Sequence, residues 1–263
     1  MAEFKTQERG RVIEITLDRP EKYNALTLNM LEGLVEATDR LATRDDLQVL
    51  LVRATGKYFS AGIDLNGALA PNPSITSPSA FRRWYRDGVG CIHPLGDLWE
   101  ASEKPIVVAH QGPCLGGALE VSLCADFRLA SDAAAYGLPE IAMGGLPGSG
   151  GTSRMTRLMG PHWARWLVIA GQKIDAARAL SIGLVHDVYA HESFDEKVRI
   201  FCDDLAAIPR EAFAAGKLAI ELCADVGRAE ARNVERLAVS SLVTGEEYRR
   251  TTNAYMARFS KEK

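Results

Sequence analysis

At 263 residues, with 47% apolar and 25% charged side chains, the chain has the make-up of a soluble globular protein with a substantial core. A formal net charge of -3 argues against a dedicated nucleic-acid binder, and no apolar run approaches the ~20 residues that span a bilayer. The cysteines are odd in number with no CxxC pair, and the histidines show no HxH or HExxH spacing, so neither a disulfide framework nor a metal site is indicated. Met1-Ala2-Glu3-Phe4-Lys5 lacks the apolar stretch of a signal peptide, which makes the cytoplasm the expected compartment.

Residues 4–8 and 12–17 alternate apolar and polar side chains around Arg9-Gly10-Arg11, a β-hairpin pattern. A loop over 18–24 leads to Thr27, which can cap a helix with Leu31, Leu34, Val35 and Leu41 at helical spacing. The unbroken apolar run 49–52 predicts a strand buried on both faces. A small-residue turn at 61–64 follows, then a Pro/Ser-rich loop over 71–78, then a helical segment over 80–101 interrupted by Gly88, Gly90, Pro94 and Gly96. Residues 106–109 predict another buried strand, followed by a glycine turn over 112–117, a helix through Cys124, and short strands at 127–130 and 134–136.

The glycine-dense stretch 144–151 lacks the Lys-Ser/Thr ending of a P-loop, so close packing of backbone against a substrate or another strand explains it better. A helix starts near Thr152. Asp175 can cap another that stops at Gly183, and 185–189 predicts a last strand. Beyond 193 only helices follow, over 193–207, 209–224, 229–244 and 246–259. The chain thus divides into a β/α core, 1–192, and a helical C-terminal region, 193–263, with no disordered linker between them.

Three segments carry chemistry: Tyr58-Phe59-Ser60-Ala61-Gly62-Ile63-Asp64, Gly116-Gly117-Ala118-Leu119-Glu120, and Tyr136-Gly137-Leu138-Pro139-Glu140. Two turns of small residues let backbone N–H groups approach an oxygen that gains negative charge, as the thioester oxygen does when an enolate forms. Two carboxyl groups can move the protons, because closeness and burial drive their proton affinities upward. Glu120, among Leu119, Val121 and Leu123, is an expensive burial without a role; Glu140 could equally be an exposed residue after a strand. Cys114 has no partner motif and reads as a small buried thiol. His110 reads by default as a hydrogen-bonded structural histidine, though its place near the glycine turn would let it line the site.

The whole chain resembles the crotonase (enoyl-CoA hydratase/isomerase) superfamily. The matching segments fall in family order over ~10–190: Arg19-Pro20 with Asn24-Ala25-Leu26, Phe59 to Leu65, Leu115 to Glu120 with Cys124-Ala125-Asp126, Pro139-Glu140, Gly148-Ser149-Gly150-Gly151, and Ala176 with Ala179 leading to Gly183-Leu184-Val185. The resemblance implies an α/β fold, a crotonase-like ββα spiral core with a C-terminal helical trimerisation region, assembled as a homotrimer or dimer of trimers. It also implies an acyl-CoA thioester substrate, with coenzyme A as part of that substrate and no separate cofactor or metal.

By correspondence, Ile63 and Gly117 supply the oxyanion-hole N–H groups, and Ile63-Asp64-Leu65-Asn66 runs beside the coenzyme. Ala25, Ala61 and Gly117 complete the substrate-contacting set. Glu120 resembles the water-activating base and Glu140 the acid that protonates the alpha carbon, so the expected reaction is reversible addition of water to a 2-enoyl-CoA. Enoyl-CoA isomerisation and hydroxycinnamoyl-CoA hydratase-lyase chemistry are the alternatives. An RNA-binding branch is associated with a lysine-rich helix, whereas 27–42 here has no lysine and carries Glu32, Glu36 and Asp39.

The chain departs from the family pattern at Ala118, in place of a third glycine, and in its tail, where Tyr255 stands where phenylalanine is frequent. Arg19, Lys22 and Lys57 flank the matching turns as candidate cations for the coenzyme's phosphates. Phe81, Trp84, Tyr85 and Trp99 suit an apolar or aromatic acyl group, or simple surface packing.

Overall fold

The computed structural model describes residues 2–66, 75–87 and 92–259. The strands are β1 (Phe4–Arg9), β2 (Val12–Leu17), β3 (Val49–Ala54), β4 (Ile106–His110), β5 (Cys114–Leu115), β6 (Phe127–Ser131), β7 (Ala135–Gly137), β8 (Ile174–Asp175) and β9 (Asp187–Tyr189). Six of them form one sheet in the order β1-β2-β3-β4-β6-β9, antiparallel between β1 and β2 and parallel from there on. The other three form a small sheet, β5-β7-β8.

The chain alternates between the two layers, and this alternation builds the spiral. After β2 it reaches Leu26, after β3 Ser60 and Ile63, after β4 the β5 strand, and after β6 the β7 strand. In the second layer Leu26 bridges Ile63, Ser60 bridges Cys114, and β5 pairs with β7. Each passage through the large sheet therefore deposits one short extended piece beside the last. The segments 61–64 and 114–117 become neighbours although about fifty residues separate them in sequence.

The continuous apolar runs are explained by burial on both faces of the large sheet. Ile13, Ile15, Leu17, Leu50, Val52, Ile106 and Val108 point into the main core, which also takes residues of α1 (Leu28–Thr43), α3 (Ile92–Glu100) and α4 (Gly117–Ser122). Their alternates Val12, Val49, Leu51, Val107 and Leu129 meet Phe194, Val198, Cys202 and Leu205 of α7 (Phe194–Ala206) on the other face. Full burial of each such side chain contributes about 1.5–3 kcal/mol.

The remaining helices are α2 (Pro78–Asp87), α5 (Gly151–Ala164), α6 (Ala176–Ser181), α8 (Arg210–Asp225), α9 (Arg228–Val243) and α10 (Glu246–Phe259). Thr27 and Asp175 cap α1 and α6 as expected, accepting from the N–H groups of Met30 and Arg178. Lys104 is buried and closes the other end of α1 by donating to the carbonyls of Leu41 and Arg44, at 2.6 and 2.7 Å.

Several local readings differ from the structure. The helix expected through Cys124 ends at Ser122, where buried Arg128 donates to the carbonyls of Ser122 and Ala125. The last strand starts at Asp187, because Leu184 and Val185 are packed into the core instead. Glu140 does not simply leave a strand: Pro139–Met143 is a 3-10 turn that aims it inward. The long interrupted helix is two helices, α2 and α3; the predicted breakers Gly88 and Gly90, and residues 71–74 of the Pro/Ser-rich loop, lie outside the described residues.

Candidate active site

Glu120 sits on the first turn of α4. The entry to that helix is Gly116, whose φ of 53° and ψ of -136° lie where a side chain is strained. Its N–H donates to the carbonyl of Gly137 at 2.9 Å, which fastens the turn to β7 and hence to the Glu140 side. The Glu120 side chain is buried, and its Oε2 accepts from the N–H groups of Ser149 and Gly151 at 2.7 and 2.9 Å. Burial pushes its pKa up to about 7; the Gly151 N–H opposes this, the neighbouring Glu140 charge adds to it, and the Ser149 N–H and Arg154 oppose it. At neutral pH the group is poised between base and acid.

Glu140 presents a different environment. Burial raises its pKa above the ordinary carboxylate range. Its Oε2 is buried and meets no hydrogen-bond partner among the described residues, while Oε1 lies beside Gly116, where an added Cβ would stand 2.9 Å away. Burial outweighs the residue's own backbone N–H, which alone among the described groups favours the ionised form, so this carboxyl is suited to hold a proton.

Ile63 and Gly117 lie side by side. A Cβ on Gly117 would stand 2.5 Å from Ile63 Cγ1, and one on Gly62 would stand 3.5 Å from the Gly117 nitrogen. Only glycine at 117 permits that approach. Among the described residues, neither the Ile63 nor the Gly117 N–H donates to an acceptor. Both are thus available to a developing oxyanion, next to two carboxyl groups able to exchange protons.

The other expected contact residues cluster on the same second-layer rung. Ala61 donates its N–H to the carbonyl of Tyr23, and Ala25 is half-buried beside Arg19, whose Nη1 donates to its carbonyl at 3.4 Å. Asp64 is largely occupied with structure: Arg19 Nη1 donates to Oδ2 at 2.6 Å and the Asn66 N–H to Oδ1 at 3.0 Å, which holds its pKa below the usual range. Arg19, a candidate cation for the coenzyme's phosphates, is paired with Asp64 and has Glu3 at 3.8 Å. Leu65 and Asn66 are exposed at the rim, as are Lys22 and Lys57.

His110 and Cys114 are structural. The imidazole is fully buried between the Tyr136 hydroxyl, 3.0 Å from Nδ1, and the Ser122 hydroxyl, 2.9 Å from Nε2; burial drops its pKa to about 3. Burial likewise pushes the Cys114 thiol well up, away from a reactive thiolate.

Two features of the matching segments have roles that the sequence does not assign, the 149–151 backbone and Asn24. Ser149 and Gly151 act through backbone N–H groups, which no side-chain pattern reports. A Cβ on Gly151 would stand 2.8 Å from both Glu120 Cγ and Oε2, so the glycine density of 144–151 serves close packing against Glu120. Asn24 is the other. Fully buried, it accepts from the Arg19 N–H and donates to the carbonyls of Thr55 and Tyr58, tying the loop before α1 to the segment that leads into the 61–64 turn.

The fold brings the Ile63 and Gly117 N–H groups and the Glu120 and Glu140 carboxyl groups to one place. The family model for Enoyl-CoA hydratase/isomerase matches residues 7–261, and the chain belongs to that family, within the crotonase superfamily. It is 30% identical over 260 residues to a 2,3-dehydroadipyl-CoA hydratase of Escherichia coli, covering 97% of this chain and 96% of that protein. It is 32% identical over 195 residues to a crotonyl-CoA hydratase of Syntrophomonas wolfei, covering 73% and 71% of the two chains. Among solved structures, an enoyl-CoA hydratase from Bacillus anthracis superposes with a TM-score of 0.88 at 27% identity, covering 98% of this chain and 97% of that one. One from Thermoplasma volcanium gives 0.85 at 30%, covering 96% and 97%.

Proposed function

We propose that the protein is an enoyl-CoA hydratase that adds water reversibly across the C2–C3 double bond of a 2-enoyl-CoA. The observation that carries this reading is the contrast between the two carboxyl groups flanking the Gly116-Gly117 turn. Glu120 accepts from two N–H groups brought by another segment, whereas Glu140 Oε2 has no partner among the described residues and only that residue's own N–H opposes burial.

Glu120 takes a proton from water as the oxygen bonds to C3. The electron pair of the double bond moves through C2 onto the thioester oxygen, where the Ile63 and Gly117 N–H groups hold the charge. Glu140 then delivers its proton to C2 as the enolate collapses. The protein is left with Glu120 protonated and Glu140 ionised, and exchange with solvent resets the pair. Two acid–base groups suit hydration better than double-bond migration, which needs one group to carry a proton between carbons.

Ala25, Ala61, Ile63, Asp64, Leu65, Asn66 and Gly117 are assigned to the substrate, with exposed Lys22 and Lys57 flanking the coenzyme's phosphates. Exposed apolar side chains on α8 and α9, among them Ile220, Leu222, Leu237 and Val239, support assembly into a trimer or dimer of trimers. Light scattering of wild type and Leu237→Asp tests that assignment. No helix among the described residues is long and apolar enough to cross a membrane.

The deciding experiment follows the absorbance of the conjugated enoyl thioester when pure protein meets crotonyl-CoA, longer 2-enoyl-CoAs and a cinnamoyl-CoA. Loss of absorbance that disappears in Glu120→Gln supports the reading. Unchanged absorbance across the series, with the thioesters bound, moves the chemistry to isomerisation or lyase cleavage.

A further inference from the structure

The two N–H groups that hold Glu120 belong to a segment whose outer side is fastened by α2 and α3. The Tyr85 hydroxyl is 2.7 Å from Ser149 Oγ, and His93 Nε2 is 2.9 Å from the carbonyl oxygen of Gly148. Tyr85 and His93 meet edge to face, with ring centroids 5.5 Å apart, and Phe81 stacks on the Tyr85 ring at 5.4 Å. The phenol is therefore held by neighbouring rings and loses little freedom when its hydroxyl engages Ser149. Gly148 completes the fit, since a Cβ there would stand 3.0 Å from the Tyr85 oxygen.

The inner side of the segment is tied differently. Thr152 donates through both N–H and Oγ1 to the carbonyl of Pro147, and Ser153 Oγ donates to that of Gly150. These contacts fix the start of α5 and engage neither the Gly148 carbonyl nor the Ser149 N–H. Arg154 Nη1 reaches the Ser149 carbonyl only at 3.5 Å. The orientation of the Ser149 N–H, which points at Glu120 Oε2, is thus set from outside, on its own side chain and on the carbonyl of Gly148.

We propose that Tyr85, braced by His93, is a positioning residue for Glu120: through the Ser149 hydroxyl it holds the 148–151 segment where its N–H groups meet the Glu120 carboxylate. Glu120 takes part in the proposed hydration as the base, and to that extent the inference rests on the hydratase reading. The link makes the proton affinity of Glu120 depend on the placement of α2 and α3, about thirty residues away in sequence. A displaced α2 releases Ser149, weakens a donor that favours the carboxylate, and leaves a base that is protonated at neutral pH.

The test reads Glu120 directly, independently of turnover. Full-length protein labelled with carboxyl-13C glutamate is titrated by NMR, and the Glu120 resonance is the one missing from Glu120→Gln. Tyr85→Phe keeps the ring and removes the hydroxyl; the Glu120 midpoint should rise by about one pH unit. Ser149→Ala should give the same rise, and the double variant no more than either single one, because both remove one link. His93→Ala should move it less.

The acid limb of the kcat profile on crotonyl-CoA should follow the midpoint, with KM little changed. An unchanged midpoint in both Tyr85→Phe and Ser149→Ala overturns the proposal, whatever happens to KM. If the wild type fails to hydrate any enoyl-CoA but the midpoint still rises in the variants, the positioning role stands and the hydratase reading falls.

Discussion

The two walls of the site handle the same functional group in opposite ways. On the α4 wall, Glu120 is buried in an apolar helix turn, and a glycine-rich segment brings it two N–H donors. On the β7 wall, Glu140 stands on a 3-10 turn at the edge of the protein, half-buried, with one oxygen enclosed and unpartnered among the described residues. Burial raises both pKa values; two N–H groups from another segment oppose it at Glu120, and only the residue's own N–H opposes it at Glu140. On the proposed hydratase reading, two chemically identical side chains serve as base and acid because their backbone donors are placed unequally.

Removing the proton from the uncompensated wall should have the largest effect. Glu140→Gln keeps shape and polarity but cannot protonate C2, so kcat should fall by roughly 10²–10⁴ while KM stays within a few-fold. Stopped-flow hydration of crotonyl-CoA reads both. A KM increase with kcat intact would instead make Glu140 a binding group and dissolve the contrast between the walls.

Each wall also has one glycine pressed against its carboxyl, and these two positions sharpen the comparison. An added Cβ at Gly116 would meet Glu140 Oε1 at 2.9 Å and would be strained at a φ of 53°. Gly116→Ala should disturb Glu140 together with the turn that carries the Gly117 N–H, lowering kcat by about 10²–10³. Gly151→Ala pushes on Glu120 Cγ and Oε2 and on Pro147 Cβ, without that backbone strain. Its loss should be smaller, roughly 10-fold to 10²-fold, and accompanied by an upward move of the acid limb, because the N–H donor retreats. Steady-state profiles between pH 5 and 9 separate the two. An unmoved acid limb in Gly151→Ala would mean that the backbone donors do not set the proton affinity of Glu120.

Much of this arrangement is legible in the sequence, and what is not has a common physical cause. The hairpin, the runs at 49–52 and 106–109, the Thr27 and Asp175 caps and the four C-terminal helices are local patterns that the structure repeats within a residue or two. β5 and β8 are two residues each, with no periodicity to detect, and exist only because the second layer stacks them. The 3-10 turn under Glu140 follows from Pro139 and the packing around it. Asp64 and Arg19, both conspicuous in sequence, neutralise each other, whereas Ser149 and Gly151 contribute atoms that every residue but proline possesses. Side-chain chemistry is visible in a sequence; the direction of an N–H is not.

The contrast should finally appear as a small difference in stability. Glu120 has a pKa of about 7 in the folded chain against an ordinary 4.5. The folded state binds this proton more tightly than the unfolded state, so ionising the group works against folding. The penalty is absent below pH 4.5, grows between about 4.5 and 7, and is complete above that, on the order of 3 kcal/mol. Glu120→Gln abolishes it while its amide oxygen can still accept from Ser149 and Gly151. The variant should therefore melt several degrees above wild type at pH 8 and close to wild type at pH 5. Glu140→Gln should show the same sign with a smaller gain, since that side chain is only half-buried. Calorimetry of the three proteins at both pH values decides the matter. An equal gain at pH 5 and pH 8 would trace the stabilisation to packing rather than charge, and an equal gain from the two variants would mean that the walls differ in chemistry but not in the cost of burying their charge.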